Sequence, residues 1–270
     1  MTQTATTSAG SGEKRICSRT GLQIVPSVGQ TVYRIGETEW GPMNPLKRPR
    51  SDDRGSWSRW DVPGHRTLYA ASEETAAFSE VISYIEPGLP ATPMGELFDD
   101  VGDDDAETLD AQIAAELPRH GSMLIPSISK GWRQARSIYT LRLPWQGWFV
   151  DVTAAQSIST IQAELRDTLE RLGVSELTLG VITGNLDKMI TTTIAEWIRS
   201  VVLDDGSLPH GIVYRSKWGA DWPAWAIWLR RVDDGLDPAS EQLTSIGQEG
   251  IGIHTKTLVD AARLRNMRIY

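Results

Sequence analysis

Between residues 32 and 84 the chain passes from one short β-type run, through a long connection rich in proline and glycine, into a second β-type run and then almost at once into an amphipathic helix. Residues 30–35 carry β-branched and aromatic side chains after a turn signal at Gly29, which predicts a strand. Alternation places Val32 and Arg34 on one face and Tyr33 and Ile35 on the other. Residues 67–70 (TLYA) predict a second strand. Ser72 then offers a helix N-cap, with Glu73 and Glu74 in the first turn, where carboxylates suit the helix dipole. The helix is expected to reach about residue 85, before Pro87. Ala77, Val81 and Tyr84 form one apolar stripe, and Phe78, Ile82 and Ile85 the adjacent one. Glu80 falls between apolar neighbours in mid-helix. A carboxylate there lies either on a solvated flank or in a cleft.

The connection at 36–64 contains Pro42, Pro45, Pro49 and Pro63. An irregular span of that length is uncommon unless it is functional or disordered. It also concentrates Lys47, Arg48, Arg50, Arg54 and Arg59 within an acidic protein. Lys47, Arg48 and Arg50 read equally well as a solvated loop. Arg59, between Trp57 and Trp60, reads as an ordered position.

Further along, the acidic run at 95–110 is expected to be a solvated loop leading to a short helix at 107–117. Strands are expected at 137–143, 148–152, 177–183, 211–216 and 225–230, and helices at 158–172, 186–202 and 256–266. Gly173 is placed to end the first of those helices, and 267–270 to add a terminal edge strand. Residues 1–21 are small and polar and predict a loose tail, leaving 22–270 as one domain. Strands and helices alternate irregularly. The expected class is therefore α+β, with mixed or antiparallel sheets and flanking helices, rather than a doubly wound sheet.

Composition narrows the function. The 270 residues carry a formal charge of −8, a poor match to direct nucleic-acid binding, which depends on basic surface. Cys17 is the lone cysteine, and the four histidines are scattered, so no metal site is expected. There is no secretory h-region and no apolar run of the roughly 18 residues a membrane helix needs. The expectation is a cytoplasmic protein without membrane contact. Eleven tryptophans stand out, four of them (Trp218, Trp222, Trp225, Trp228) in one segment. They read as core or as the interface of a homo-oligomer, with at least one ring against a nucleotide as the alternative.

Five short motifs in order resemble the RES domain, named for its Arg, Glu and Ser. They are Tyr33-Arg34, then Ser58-Arg59-Trp60-Asp61 with Pro63-Gly64, then Leu68-Tyr69-Ala70, then the helix segment from Ala76 to Val81, then Gly211 to Ser216. Residues 149–153 (FVDVT) also look like a strand of that family. Asp61 departs from the family's usual Asn, and the chain is longer than a minimal RES domain, with extra material near 88–135 and 174–208. The resemblance implies an ADP-ribosyltransferase-like core and an activity on NAD+ as substrate. It also implies a bacterial toxin paired with an Xre-type helix-turn-helix antitoxin.

The residue chemistry is compatible. Cleavage of the nicotinamide–ribose bond passes through an oxocarbenium-like ribose, which a carboxylate stabilises. Glu80 is the candidate for that role. Arg34 and Arg59 offer planar, permanently charged donors for a pyrophosphate. Tyr69 either stacks on nicotinamide or orients Glu80 through its hydroxyl. Trp60 is a further substrate-binding candidate. Ser216 is expected to bond ribose or Glu80. No histidine is placed to make it a nucleophile. Three readings follow: an NAD+ glycohydrolase or phosphorylase, a protein mono-ADP-ribosyltransferase, and a non-catalytic nucleotide-binding or interaction module.

Overall fold

The computed structural model describes residues 13–85, 119–120, 123–124, 126–184 and 188–270. The strands are β1 (Arg15–Ile16), β2 (Gln23–Pro26), β3 (Thr31–Glu37), β4 (Thr67–Ala71), β5 (Arg119–His120), β6 (Met123–Leu124) and β7 (Ser127–Ile128). They continue with β8 (Arg136–Arg142), β9 (Trp148–Asp151), β10 (Gly211–Ser216), β11 (Gly219–Trp228), β12 (Thr244–Gly250) and β13 (Arg268–Ile269). Nine of them form one sheet in the order β1-β2-β9-β10-β11-β4-β3-β8-β12. The β9–β10 pair is parallel; the other neighbours are antiparallel. The class is the expected α+β, a large mixed sheet flanked by helices.

Two apolar clusters pack helices against this sheet. In one, Ile161, Ile182, Ile190, Ile194 and Ile198 pack with Val150, Ile212 and Tyr214. In the other, helix α1 (Glu74–Ile82) and the Lys256–Leu264 helix contribute Phe78, Ile82, Leu258 and Ala261, which meet Ile35 and Ile138 of the sheet. Thr257 donates to Glu74 at 3.0 Å, tying these two helices together. Strand alternation does the rest: Ile212 and Tyr214 face the first cluster while Val213 joins a third, with Phe149, Trp225 and Ile227. Gly211 is required at the start of β10, since a Cβ there would meet the Ala226 carbonyl oxygen at 2.0 Å.

Several expectations need correction. Residues 177–183 are not a strand: Leu179–Thr183 is a helix, capped by the Thr178 hydroxyl, which accepts from the Val181 N–H. A short apolar, β-branched run fits a helical turn as well as a strand. The helix expected at 158–172 is two helices, Ala155–Glu164 and Arg166–Arg171, broken at Leu165. Ser72 is not the N-cap of α1; that position is Glu73, and the Ser72 hydroxyl instead accepts from Trp225 Nε1. The loose tail does not reach residue 21, because Arg15–Ile16 pairs with β2 and Arg15 is bridged to Asp204 at 2.6 Å. The terminal strand expected at 267–270 is present as Arg268–Ile269, paired with β7 outside the large sheet. Strand β12 was not expected at all. The acidic run at 95–110 and the helix at 107–117 lie outside the described residues.

Candidate active site

The long connection is organised by its own polar groups. The Asp61 carboxylate is buried and accepts from Arg48 Nε at 2.7 Å, the Ser58 N–H at 3.0 Å and the Tyr69 hydroxyl at 2.9 Å. Burial pushes its proton affinity up, and Arg48 opposes the shift. Arg50 and Arg54 reach across to Glu196. Arg48, Arg50 and Arg54 are therefore tied into the fold, and Asp61 forms the centre of the turn that presents Ser58 and Arg59.

Beside this turn is a cavity of about 160 Å³, walled by β3, β4, α1 and the end of β10. Arg34, Arg59, Tyr69 and Glu80 all line it, together with Tyr84 and Tyr214. Arg34 donates one weak hydrogen bond, from Nη1 to the Tyr69 carbonyl at 3.4 Å. Its Nε is closed off from solvent and has no hydrogen-bond partner among the described residues. Burial without a pairing carboxylate lowers its pKa to about 10. Arg59 is committed differently: Nη1 donates to the Thr183 carbonyl at 2.9 Å, and the guanidinium lies 5.0 Å from the centre of the Tyr214 ring.

Glu80 stands on α1 facing the cavity, and its Oε1 accepts from the Ser216 hydroxyl at 2.6 Å. Ser216 in turn accepts from the Trp218 N–H at 3.1 Å. Of the two roles considered for the Ser216 hydroxyl, the structure places it on Glu80. The Tyr69 hydroxyl donates to Asp61 and accepts from the Trp60 N–H at 2.9 Å, so it does not orient Glu80. Its proton affinity is raised by burial and by Asp61. Tyr69 lines the cavity.

Trp60 is a correction. Its side chain is fully buried, packs at 5.9 Å from Tyr214 and is not on the cavity wall. Tyr214 was the residue missed. It precedes Ser216 by two positions in β10. Burial and the Glu80 charge hold its phenol protonated.

The electrostatics around Glu80 are one-sided. Lys217 is shifted down by burial, with Arg59 and Arg265 adding to the shift and Glu80 opposing it. Lys188 is shifted down by burial, then by Arg59 and Lys217. Arg265 lies over the Trp218 ring at 3.3 Å and Lys217 lies 4.8 Å from it. A local excess of positive charge thus surrounds one carboxylate in a protein of net charge −8. Among the described residues no group of three or more His, Cys, Asp or Glu is placed to hold a metal. No described helix is long and apolar enough to cross a membrane.

An α+β fold with an Arg- and Glu-bearing cleft is the class of protein that this geometry defines. Residues 31–158 match the RES domain. The match holds Arg34, Arg59, Tyr69 and Glu80; Ser216 lies beyond it. No curated protein matches the chain. Among solved structures, a chain of the M. tuberculosis MbcT–MbcA toxin–antitoxin complex is similar at 13% identity and a TM-score of 0.46, over 88% of this chain and 90% of that one.

Proposed function

We propose that this protein is an NAD+-consuming, toxin-like enzyme that breaks the nicotinamide–ribose bond, with water or phosphate as acceptor. The observation that carries the reading is the Glu80 carboxylate, held by Ser216 at 2.6 Å on a cavity that also contains the Arg34 guanidinium, whose Nε is without a hydrogen-bond partner among the described residues. The match of residues 31–158 to the RES domain, a resemblance that implies activity on NAD+, supports the same substrate.

In this reading the nicotinamide rests against the Tyr69 ring, with the ribose beside Glu80. The scissile ring already carries positive charge and leaves as neutral nicotinamide, so no strong general acid is needed. The electron pair of the C–N bond departs with nicotinamide. The carboxylate stabilises the positive charge that develops on the ribose. Ser216 positions the carboxylate by donating to Oε1. Arg34 receives a phosphate oxygen, and Arg59 shapes the wall between Thr183 and Tyr214. An Xre-type antitoxin is the partner that the RES resemblance implies.

The test is incubation of purified protein with NAD+, with and without phosphate, read by mass spectrometry beside Glu80→Gln. Free nicotinamide is expected, with ADP-ribose or its 1″-phosphate as the second product, and both vanish in the variant. Labelled ADP-ribose appearing on protein would reassign the acceptor. NAD+ that stays intact would overturn the reading.

A further inference from the structure

The cavity beside Glu80 is too small for a whole dinucleotide. Its volume of about 160 Å³ falls below the ~300–1000 Å³ usual for sites that enclose ligands of that class. Immediately across Ser216 lies a second, more open depression of about 500 Å³. It is lined by Thr153, Leu179, Thr183, Arg215, Ser216 and Lys217, among others.

Two contacts join the hollows into one tract. The Ser216 hydroxyl, on the wall of the depression, donates to Glu80 on the wall of the cavity. Arg59, on the cavity wall, donates to the carbonyl of Thr183, which lines the depression. The sheet register slips between Arg215 and Ser216, and residues 215, 216 and 217 all border the depression. Asp151 also borders it, but its charge is met by Lys14 at 3.3 Å and its Oδ1 accepts from the Thr153 hydroxyl at 2.7 Å. Arg215 and Lys217 therefore dominate the local field, and Arg59 and Lys188 reinforce it.

We infer that this depression binds the ADP half of the dinucleotide, with Arg215 and Lys217 as its phosphate-recognising residues and the Thr153 and Thr183 hydroxyls within its walls. The inference rests on the cavity beside Glu80 receiving the nicotinamide–ribose end. It gives the two arginines expected on the pyrophosphate separate duties: Arg34 acts inside the cavity, and Arg59 stands at the junction.

Isothermal titration of ADP and of nicotinamide mononucleotide into wild type and into Arg215→Gln/Lys217→Gln tests it. Removing two charge-assisted contacts predicts a loss of about tenfold or more in ADP affinity, with nicotinamide mononucleotide within about twofold. Lys217→Arg in the Arg215 background restores most of the ADP affinity, and unchanged melting of each variant excludes a folding defect. ADP that fails to bind wild type, or binds the double variant equally well, overturns the inference. So does an equal loss for both ligands. NAD+ cleavage by wild type is scored separately. Intact NAD+ together with selective loss of ADP binding would leave the depression assigned and remove the Glu80 reaction instead.

Discussion

Ser216 and Glu80 are 136 residues apart in the chain, yet the hydroxyl of the first sits 2.6 Å from the carboxylate of the second. The contact joins the end of a central strand to the middle of a helix on the sheet's flank. It fixes which carboxylate oxygen remains free to face the cavity. Ser216→Ala removes a positioning bond and leaves the carboxylate in place. NAD+ cleavage should fall by about tenfold in kcat with KM nearly unchanged, whereas Glu80→Gln should lose about 10²–10³-fold or more. Steady-state kinetics on the two variants separates positioning from charge stabilisation.

Arg34 makes the opposite kind of prediction, in which a mutation stabilises. Its Nε is buried and has no hydrogen-bond partner among the described residues, an arrangement that costs folding energy in the absence of an anion. Arg34→Met should raise the urea midpoint by about 1–2 kcal/mol equivalent while abolishing activity. Added pyrophosphate should raise the melting temperature of wild type and leave that of the variant where it is. A destabilised Arg34→Met would show that the charge is satisfied in the free protein.

The Arg48–Asp61 pair should behave as a unit. Asp61 departs from the Asn usual in the family, and Arg48 at 2.7 Å answers the extra charge. Arg48→Gln should destabilise wild type by about 2–3 kcal/mol, since it strands a buried carboxylate, but should cost under ~1 kcal/mol in an Asp61→Asn background. A double-mutant cycle in urea gives the coupling directly.

A third carboxylate, Asp233, gathers His65 at 3.1 Å, Arg199 at 2.9 Å and Arg66 at 3.6 Å. Burial, and then Arg199, hold the His65 pKa below its usual 6.5. The unfolded chain therefore binds more protons than the native one as pH falls through 6.5, and stability falls with it. His65→Gln should flatten this slope between pH 7.5 and 5, as measured by chemical unfolding at each pH. A wild-type stability that rises on acidification over this range would contradict the assignment.

How far the site could be read in advance follows from local chemistry. Strand β10 is found where 211–216 was expected, because Gly211-Ile-Val-Tyr is a strongly β-type run. The Glu80 helix was legible from its apolar stripes, although it stops at Ile82. Arg34, Arg59 and Glu80 carry recognisable motif neighbours, and they do line one cavity. The role of Asp61 was not legible, since it depends on Arg48 folding back across the loop. Trp60 was misplaced because a tryptophan beside an arginine reads equally as ligand platform or as core. Strand β12 (TSIGQEG) is mostly exposed and polar and pairs only as an edge, with a register slip near Gly247, so it lacks the alternation that marks a strand.

The stacking of Lys217 and Arg265 on Trp218 has a practical use. Two cations beside one indole make its emission sensitive to whatever draws them away. An anion settling next to Lys217 would change that quenching, and the change should be missing in Trp218→Phe. The difference spectrum between the two proteins is therefore a built-in optical titration of the groove, readable without label or turnover.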